Sequence, residues 1–258
     1  MITAGVDIGS LTAKAVILRD KEIAGYAVIP GGADVTAAAG RALGQALEKA
    51  GLRQEDLTAI VATGYGREKV PMAGKTVTEI TCDARGTHYL FPEAGMIIDI
   101  GGQDSKVISL DAEGRVLDFT MNDKCAAGTG RFLEVMARAL EIELDQLGPV
   151  SLKHRKTVVI SSMCTVFAES EVVSLIAEGY AREDILNGLH QAIASRIAAM
   201  AQGQRVGKVI MVGGGVAKNT GVVKALEDRL KAKVKVPPEP QIVAALGAAI
   251  CAQEIVNR

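Results

Sequence analysis

The sequence predicts an α/β protein built from two versions of one unit, and three observations carry that prediction. Residues 5–18 read GVDIGSLTAKAVIL and residues 97–110 read IIDIGGQDSKVISL. Each places a lysine seven residues after the aspartate of Asp-Ile-Gly, Lys14 after Asp7 and Lys106 after Asp99, so the fold is internally duplicated. Apolar residues make up 48% of the chain and aromatics only 3%, so Ala, Val, Ile and Leu fill the core, as close-packed helix and sheet layers require. Short apolar runs of strand length also alternate with longer stretches of helical period.

Taken in order, strands are expected at 2–7, 13–19, 22–29, 58–62, 96–100, 105–110, 115–121, 157–161, 208–212 and 233–236. Helices are expected at 34–51, 126–140, 165–178, 182–202, 216–231 and 241–256. Each matched segment reads as a strand, a glycine turn and a returning strand, which is a hairpin. The run PPEP at 237–240 is a stiff connector, and the small residues of the last helix allow close packing on a neighbour. The first unit is expected to comprise 1–93 with about 241–258, and the second 94–240, carrying Cys125 and Cys164.

Composition excludes several classes. The net charge is −1, so there is no electrostatic footprint for nucleic acid, and KHRK at 153–156 reads as a solvated turn. The most apolar run, 242–252, is too short to span a membrane, and an acidic residue at position 7 argues against a signal peptide. Four cysteines lie far apart without a CxxC pair, so no disulfide framework is expected and the cytoplasm is the default location.

The hairpins have specific chemistry. A glycine turn lets backbone approach a ligand, and successive N–H groups form an anion-binding hollow. An aspartate at the strand end offers a carboxylate to hydrated Mg²⁺, which keeps most of its waters. Two such hairpins facing each other would clamp a polyphosphate. Asp7 and Asp99 are the Mg²⁺ candidates; Ser10, Thr12 and Lys14 the phosphate contacts of one hairpin; Gly101, Gly102, Gln103 and Asp104 those of the other. Gln103 or Asp104 would orient the attacking water, a task found throughout NTP hydrolysis. A third glycine feature, KVIMVGGGVAKN from Lys208, reads as strand, turn and helix. Its spacing fits neither GxGxxG nor GxxxxGK[ST], so Gly213 and Gly214, with Gln241, are assigned to the adenosine side.

Cys125 stands before the step AAGTG, and Cys164 before TVFAESEV, each ahead of an expected helix. A thiolate at a helix N-terminus is stabilised by the dipole and the free amides. Two cysteines cannot complete a four-thiolate site, but two chains about a twofold axis can. On ligand count alone, zinc and an iron–sulfur cluster both satisfy such a site. Cys82 and Cys251 read as buried small apolar residues, and His88, His154 and His190 receive no role. Gly128 and Gly130 would let the segment after Cys125 pass close to the nucleotide.

Paired DIG hairpins followed by a GGG turn resemble the actin, Hsp70 and sugar-kinase superfold. More narrowly, NDKCAAGTGRFLEVMA and SSMCTVFAESEV resemble the ATP-dependent activators of 2-hydroxyacyl-CoA dehydratases, the BadF/BadG/BcrA/BcrD-type ATPases, a group that includes benzoyl-CoA reductase ATPase subunits and the reductases of double-cubane-cluster proteins. The resemblance runs from Asp7 through the last helix. It implies a homodimer with one [4Fe–4S] cluster bridged by Cys125 and Cys164 of both chains, and ATP/ADP with Mg²⁺ in the cleft between the subdomains. It further implies reduced ferredoxin or flavodoxin as donor, and an iron–sulfur acceptor enzyme such as a dehydratase, a double-cubane protein or an acyl-CoA reductase. Two other classes share the superfold. A small-molecule kinase would have no use for paired helix-start cysteines, and an actin-like assembly module would form colourless filaments.

Overall fold

The computed structural model describes residues 1–123, 125–161, 164–204 and 209–257. The chain divides into two compact units, one of residues 1–97, 110–117 and 237–258, the other of 98–109 and 118–236.

The first unit is organised by β1 (Ile2–Ile8), β2 (Thr12–Arg19), β3 (Glu22–Pro30), β4 (Ala59–Thr63) and the short β5 (Lys75–Thr76). They form one sheet in the order β3-β2-β1-β4-β5. β1 and β2 are antiparallel with Asp7 directly opposite Lys14, and β1 and β4 are parallel. Helix α1 (Val35–Ala50) starts at an Asp34 cap and packs its alanine face, Ala38, Ala39, Ala42 and Ala46, on one side of the sheet. Helices α2 (Glu79–Leu90) and α8 (Val243–Val256) cover the other side. Their contact is close because small residues meet there: a side chain at Gly247 would overlap the Cys82 carbonyl, and one at Gly86 the Val243 carbonyl.

The second unit repeats the plan. β6 (Met96–Ile100), β7 (Ser105–Leu110), β8 (Val116–Asn122), β9 (Val209–Gly213) and β10 (Lys233–Lys235) form a sheet in the order β10-β9-β6-β7-β8. Read backwards, this is the first order with β6 for β1, β7 for β2, β8 for β3, β9 for β4 and β10 for β5. The duplication expected from two hairpins therefore extends to whole sheets. Helices α3 (Gly130–Leu140), α4 (Leu147–Ser151), α5 (Thr165–Ala177), α6 (Arg182–Met200) and α7 (Thr220–Leu230) complete the unit.

Four expectations need correction. Residues 157–161 are not a strand. The segment lies over α6, where the Val158 carbonyl is 2.5 Å from where a Gly188 Cβ would sit, and the amides of Arg155 and Lys156 just ahead bond to Asp184. Helix α2 was not expected, because its buried face is Cys82, Asp83, Ala84, Gly86 and Thr87, which carries no hydrophobic stripe. Helix α3 begins at Gly130 rather than 126. Helix α7 begins at Thr220, after a 3-10 turn at Gly215–Lys218 and an Asn219 cap.

His190 of α6 is wholly buried, with Nδ1 3.0 Å from Ser151 Oγ and Nε2 3.3 Å from Asn219 Nδ2. Burial pushes its pKa down to about 3. The unfolded chain takes up this proton near pH 6.5 while the folded chain refuses it until about pH 3. Stability attributable to this histidine is therefore intact above pH 6.5 and declines as pH falls from there toward 3. Denaturant melts from pH 7 to 4 should show a steeper loss in the wild type than in His190→Gln, by about 1.4 kcal/mol per pH unit at most. Equal slopes would place the acid sensitivity elsewhere.

Candidate functional site

Both hairpins close with the same bond: Gly9 N donates to Thr12 O, and Gly101 N donates to Asp104 O, each at 3.0 Å. Their charges differ. Lys14 Nζ lies 2.8 Å from Asp7 Oδ2, a neutral pair. Lys106, 1% exposed, bridges Asp99 at 3.2 Å and Asp104 at 2.7 Å, so those three side chains carry net −1. Thr12 stands where the second hairpin has Asp104. The first turn thus offers amides and the Ser10 and Thr12 hydroxyls, which suit phosphate oxygens, and the second offers two carboxylates, which suit a cation.

Each hairpin is backed by a glycine turn from the strand beside it, β4 or β9. Gly214, with φ 77°, follows β9, and a side chain there would overlap the Ile100 carbonyl and come 2.9 Å from Asp99 Oδ1. Gly64, with φ 87°, follows β4, and a side chain there would overlap Ile8 O and Asp7 Oδ1. The triple glycine at 213–215 therefore has a first-unit counterpart in ATGYG at 62–66, which the sequence reading passed over. The shared signal is an apolar strand ending in glycine, and Tyr65 between Gly64 and Gly66 obscures it. Asp7 Oδ1 is buried without a hydrogen-bond partner, so an acceptor is held in reserve beside this turn.

The segment after Cys125 is attached to the second hairpin. Thr129 stands at the N-cap of α3, but its hydroxyl donates to Ala126 O at 2.6 Å instead of capping the helix. The first helical amides turn to the hairpin: Gly130 N bonds Gly101 O, and Arg131 N bonds Gly102 O, both at 2.9 Å. A side chain at Gly130 would lie 3.3 Å from Gly101 O and Gly102 Cα. Gly128, with φ 81°, instead faces Arg196 Cδ at 3.4 Å.

Cys125 is half-buried in the irregular segment five residues before α3, not at the helix start expected for it. Cys164 is exposed and is the N-cap of α5, whose first bond runs from Ala168 N to its carbonyl at 2.8 Å. Helices α3 and α5 pack on each other. Val159, Val166, Phe167 and Val173 around Cys164 and along α5 are more than half exposed. Cys82 and Cys251 are buried with Val61, Ala244, Ala248 and Ala252. The hydrogen bond with Cys251, reinforced by burial, pushes the Cys82 thiol up and keeps it protonated. Gln241 is half-buried in a 3-10 turn at Pro240–Ile242 of the first unit, while Gly213 and Gly214 belong to the second.

Residues 4–252 match the BadF/BadG/BcrA/BcrD ATPase family. The chain belongs to that family. It is 49% identical to the activator of lactoyl-CoA dehydratase of Anaerotignum propionicum, with all of both chains covered. Its fold is similar to that of a solved activator of the 2-hydroxyisocaproyl-CoA dehydratase of Clostridium difficile with bound ADPNP, at a TM-score of 0.95 and 44% identity over 100% of this chain and 96% of that one. A ROK family glucokinase from Streptomyces griseus, 14% identical with 98% and 100% covered and a TM-score of 0.61, shares the fold alone. The duplicated sheets are thus the actin-like, sugar-kinase-like architecture, and the chain is an ATPase of the activator type. Among the described residues no helix is long and apolar enough to cross a membrane.

The lysine bridge has a measurable consequence. Lys106→Met leaves two carboxylates beside an apolar stem, and removing one partner of a buried ion pair costs about 3–5 kcal/mol. Lys14→Met, at a pair with a 12% exposed lysine side chain and one carboxylate, should cost less. Chemical denaturation of both variants checks the order; an equal or smaller loss for Lys106→Met contradicts it.

Proposed function

We propose that the protein is a homodimeric, ATP-hydrolysing electron-transfer activator of an iron–sulfur partner enzyme, a 2-hydroxyacyl-CoA dehydratase above all. The single observation that carries this reading is the linkage just described: a segment bearing Cys125 is hydrogen-bonded, through α3, to the glycine turn of a nucleotide-type hairpin. The kinase alternative has no use for it. The names of the relatives support the same class, and the bound ADPNP of one supports a nucleotide here.

The donor set fits a cluster. Cys125 and Cys164 are free thiols on neighbouring segments, and a twofold pair of chains brings four thiolates. The uncovered apolar side chains around Cys164 support a second copy on that face, since large apolar patches mark interaction sites. A [4Fe–4S] cluster, when bound, supplies one-electron transfer at low potential. The residues present also fit Mg²⁺: Asp7 has an unmet acceptor, and Asp99 lies in a cradle that a side chain at Gly214 would fill.

The work of the chain's own residues follows. Asp7 and Asp99 would hold Mg²⁺ through its water shell, as a hard cation that dehydrates reluctantly prefers. Ser10, Thr12 and Lys14 on one hairpin, and Gly101 and Gly102 on the other, each take a share of the phosphates. Lys14 must then divide its ammonium between Asp7 and phosphate. Gln103, exposed at the tip of its turn, orients the attacking water, and Asp104, tied to Lys106, sets the local charge. Gly213, Gly214 and Gln241 serve the adenosine, and Gly128 lets the chain turn toward α3. Movement of the Gly101–Gly102 carbonyls pulls on α3 and hence on the Cys125 segment. The protein would work in the cytoplasm, accepting electrons from a reduced ferredoxin or flavodoxin; a double-cubane protein or an acyl-CoA reductase is the alternative acceptor.

Iron analysis after anoxic purification tests this. The wild type should carry about four irons per dimer and be brown. Cys125→Ser and Cys164→Ser should each lose the iron, and Cys82→Ser and Cys251→Ser should keep it. Gln103→Ala should keep its iron while ATP turnover falls on the order of a hundredfold, the scale of one transition-state contact. Zinc in the wild type, or full iron in Cys164→Ser, would overturn the assignment.

A further inference from the structure

Each candidate ligand cysteine is adjoined by a polar side-chain clamp that the nucleotide chemistry does not use. We propose that Asn122 with Arg196, and Glu171 with Ser161, are positioning residues that hold Cys125 and Cys164 in the geometry that retains iron; this rests on the cluster reading above.

At Cys125 the backbone has no ladder or helix to fix it. Asn122 is the last residue of β8, so the strand holds its Cα. Its amide closes the segment: Nδ2 donates to Cys125 O at 2.8 Å, and Oδ1 accepts from Arg196 Nη2 at 3.2 Å. A guanidinium only donates and a carbonyl only accepts, so this amide must face each partner with the correct end. Aspartate would supply only the acceptor, and leucine neither group. The Arg196 stem also lies 3.4 Å from where a Gly128 Cβ would stand, so the same α6 side chain underlies both flanks of Cys125.

At Cys164 the helix fixes the C-terminal side through Ala168. Glu171, two turns into α5, reaches back to Ser161, accepting from its N at 2.8 Å and from its Oγ at 3.0 Å. A carboxylate receiving two donors is a strong, directional clamp. It is exposed, whereas the Asn122 clamp is partly buried, so the Asn122 clamp should carry the larger effect.

The test uses the anoxic holodimer challenged with an excess of ferrous chelator, with loss of visible absorbance followed in time. Thermal unfolding and ATP affinity are measured on the same samples. Asn122→Ala should release iron about 10- to 100-fold faster than wild type, the range for removing an outer-shell partner of a metal ligand. Glu171→Ala should accelerate release by less. Glu171→Gln should stay near wild type, since its oxygen still accepts the Ser161 amide and its NH₂ meets the hydroxyl oxygen. ATP should still bind, since no printed bond of either clamp reaches the glycine turn. Should Asn122→Ala fail to fold, Asn122→Asp keeps the acceptor for Arg196, loses the donor to Cys125 O and should still accelerate release. Wild-type release rates in both alanine variants would overturn the clamps. So would acceleration that merely tracks faster unfolding. A wild type without iron would overturn the cluster reading and this proposal with it, whereas a loaded wild type with indifferent variants removes the clamps alone.

Discussion

The arrangement depends on two hydrogen bonds between a helix end and a turn. An α-helix leaves its first amides without intrahelical partners, and a side chain or water usually satisfies them. In α3 the N-cap threonine is occupied with Ala126, and the carbonyls of Gly101 and Gly102 take over. A helix end satisfied by a remote turn cannot move without that turn. Glycine at 130 eases the approach, since a Cβ there would stand 3.3 Å from Gly101 O and Gly102 Cα and press on the turn backbone. Cys125 lies on the short tether before this helix end, so the proposed coupling runs from the turn through α3 to the thiol.

The duplication explains where the remaining parts sit. Two sheets of one strand order each carry an Asp-Ile-Gly hairpin in the centre and a left-handed glycine after the neighbouring strand. The halves have diverged in charge. One hairpin pairs Asp7 with Lys14, and the other binds Lys106 between Asp99 and Asp104. The fully buried lysine offsets two carboxylates that would repel each other at that distance. The first turn is therefore left with hydroxyls beside a balanced pair, and the second with one carboxylate in excess. Only the second half bears the loops with Cys125 and Cys164.

How much of this was legible in the sequence follows from the residue types involved. The hairpins and their strands were readable because β-branched runs interrupted by glycine have few other meanings. The repeat of aspartate and lysine pointed to their chemistry. The missed elements share a cause: their signals are not hydrophobic. Helix α2 packs Cys82 and Gly86 against α8, so close approach replaces an apolar stripe. The glycine turn at Gly64 was hidden by Tyr65. Residues 157–161 carry a strand-like apolar run, yet their backbone lies on α6 at Gly188. Late starts of α3 and α7 came from glycine-rich and 3-10 turns that continue the helical pattern without its hydrogen bonds. The Asn122 and Glu171 clamps were not readable at all, because polar residues near a loop have no sequence periodicity to betray a partner tens of residues away.

The central claim is that turn and cysteine segment move as one, and linkage makes it measurable. A nucleotide that alters the cluster site must be altered by it equally. Redox titration of the iron-loaded dimer with ADP, with a non-hydrolysable ATP analogue and without nucleotide reads this directly. A coupling typical of allostery, about 1–3 kcal/mol, corresponds to a midpoint shift of roughly 40–130 mV for one electron. The account predicts a shift of that size between ADP and the analogue, toward more negative values with the more highly charged nucleotide, and its reduction in Gly130→Val, where a branched side chain presses between α3 and the turn. Identical midpoints in all three wild-type states, or an undiminished shift in Gly130→Val, would contradict it.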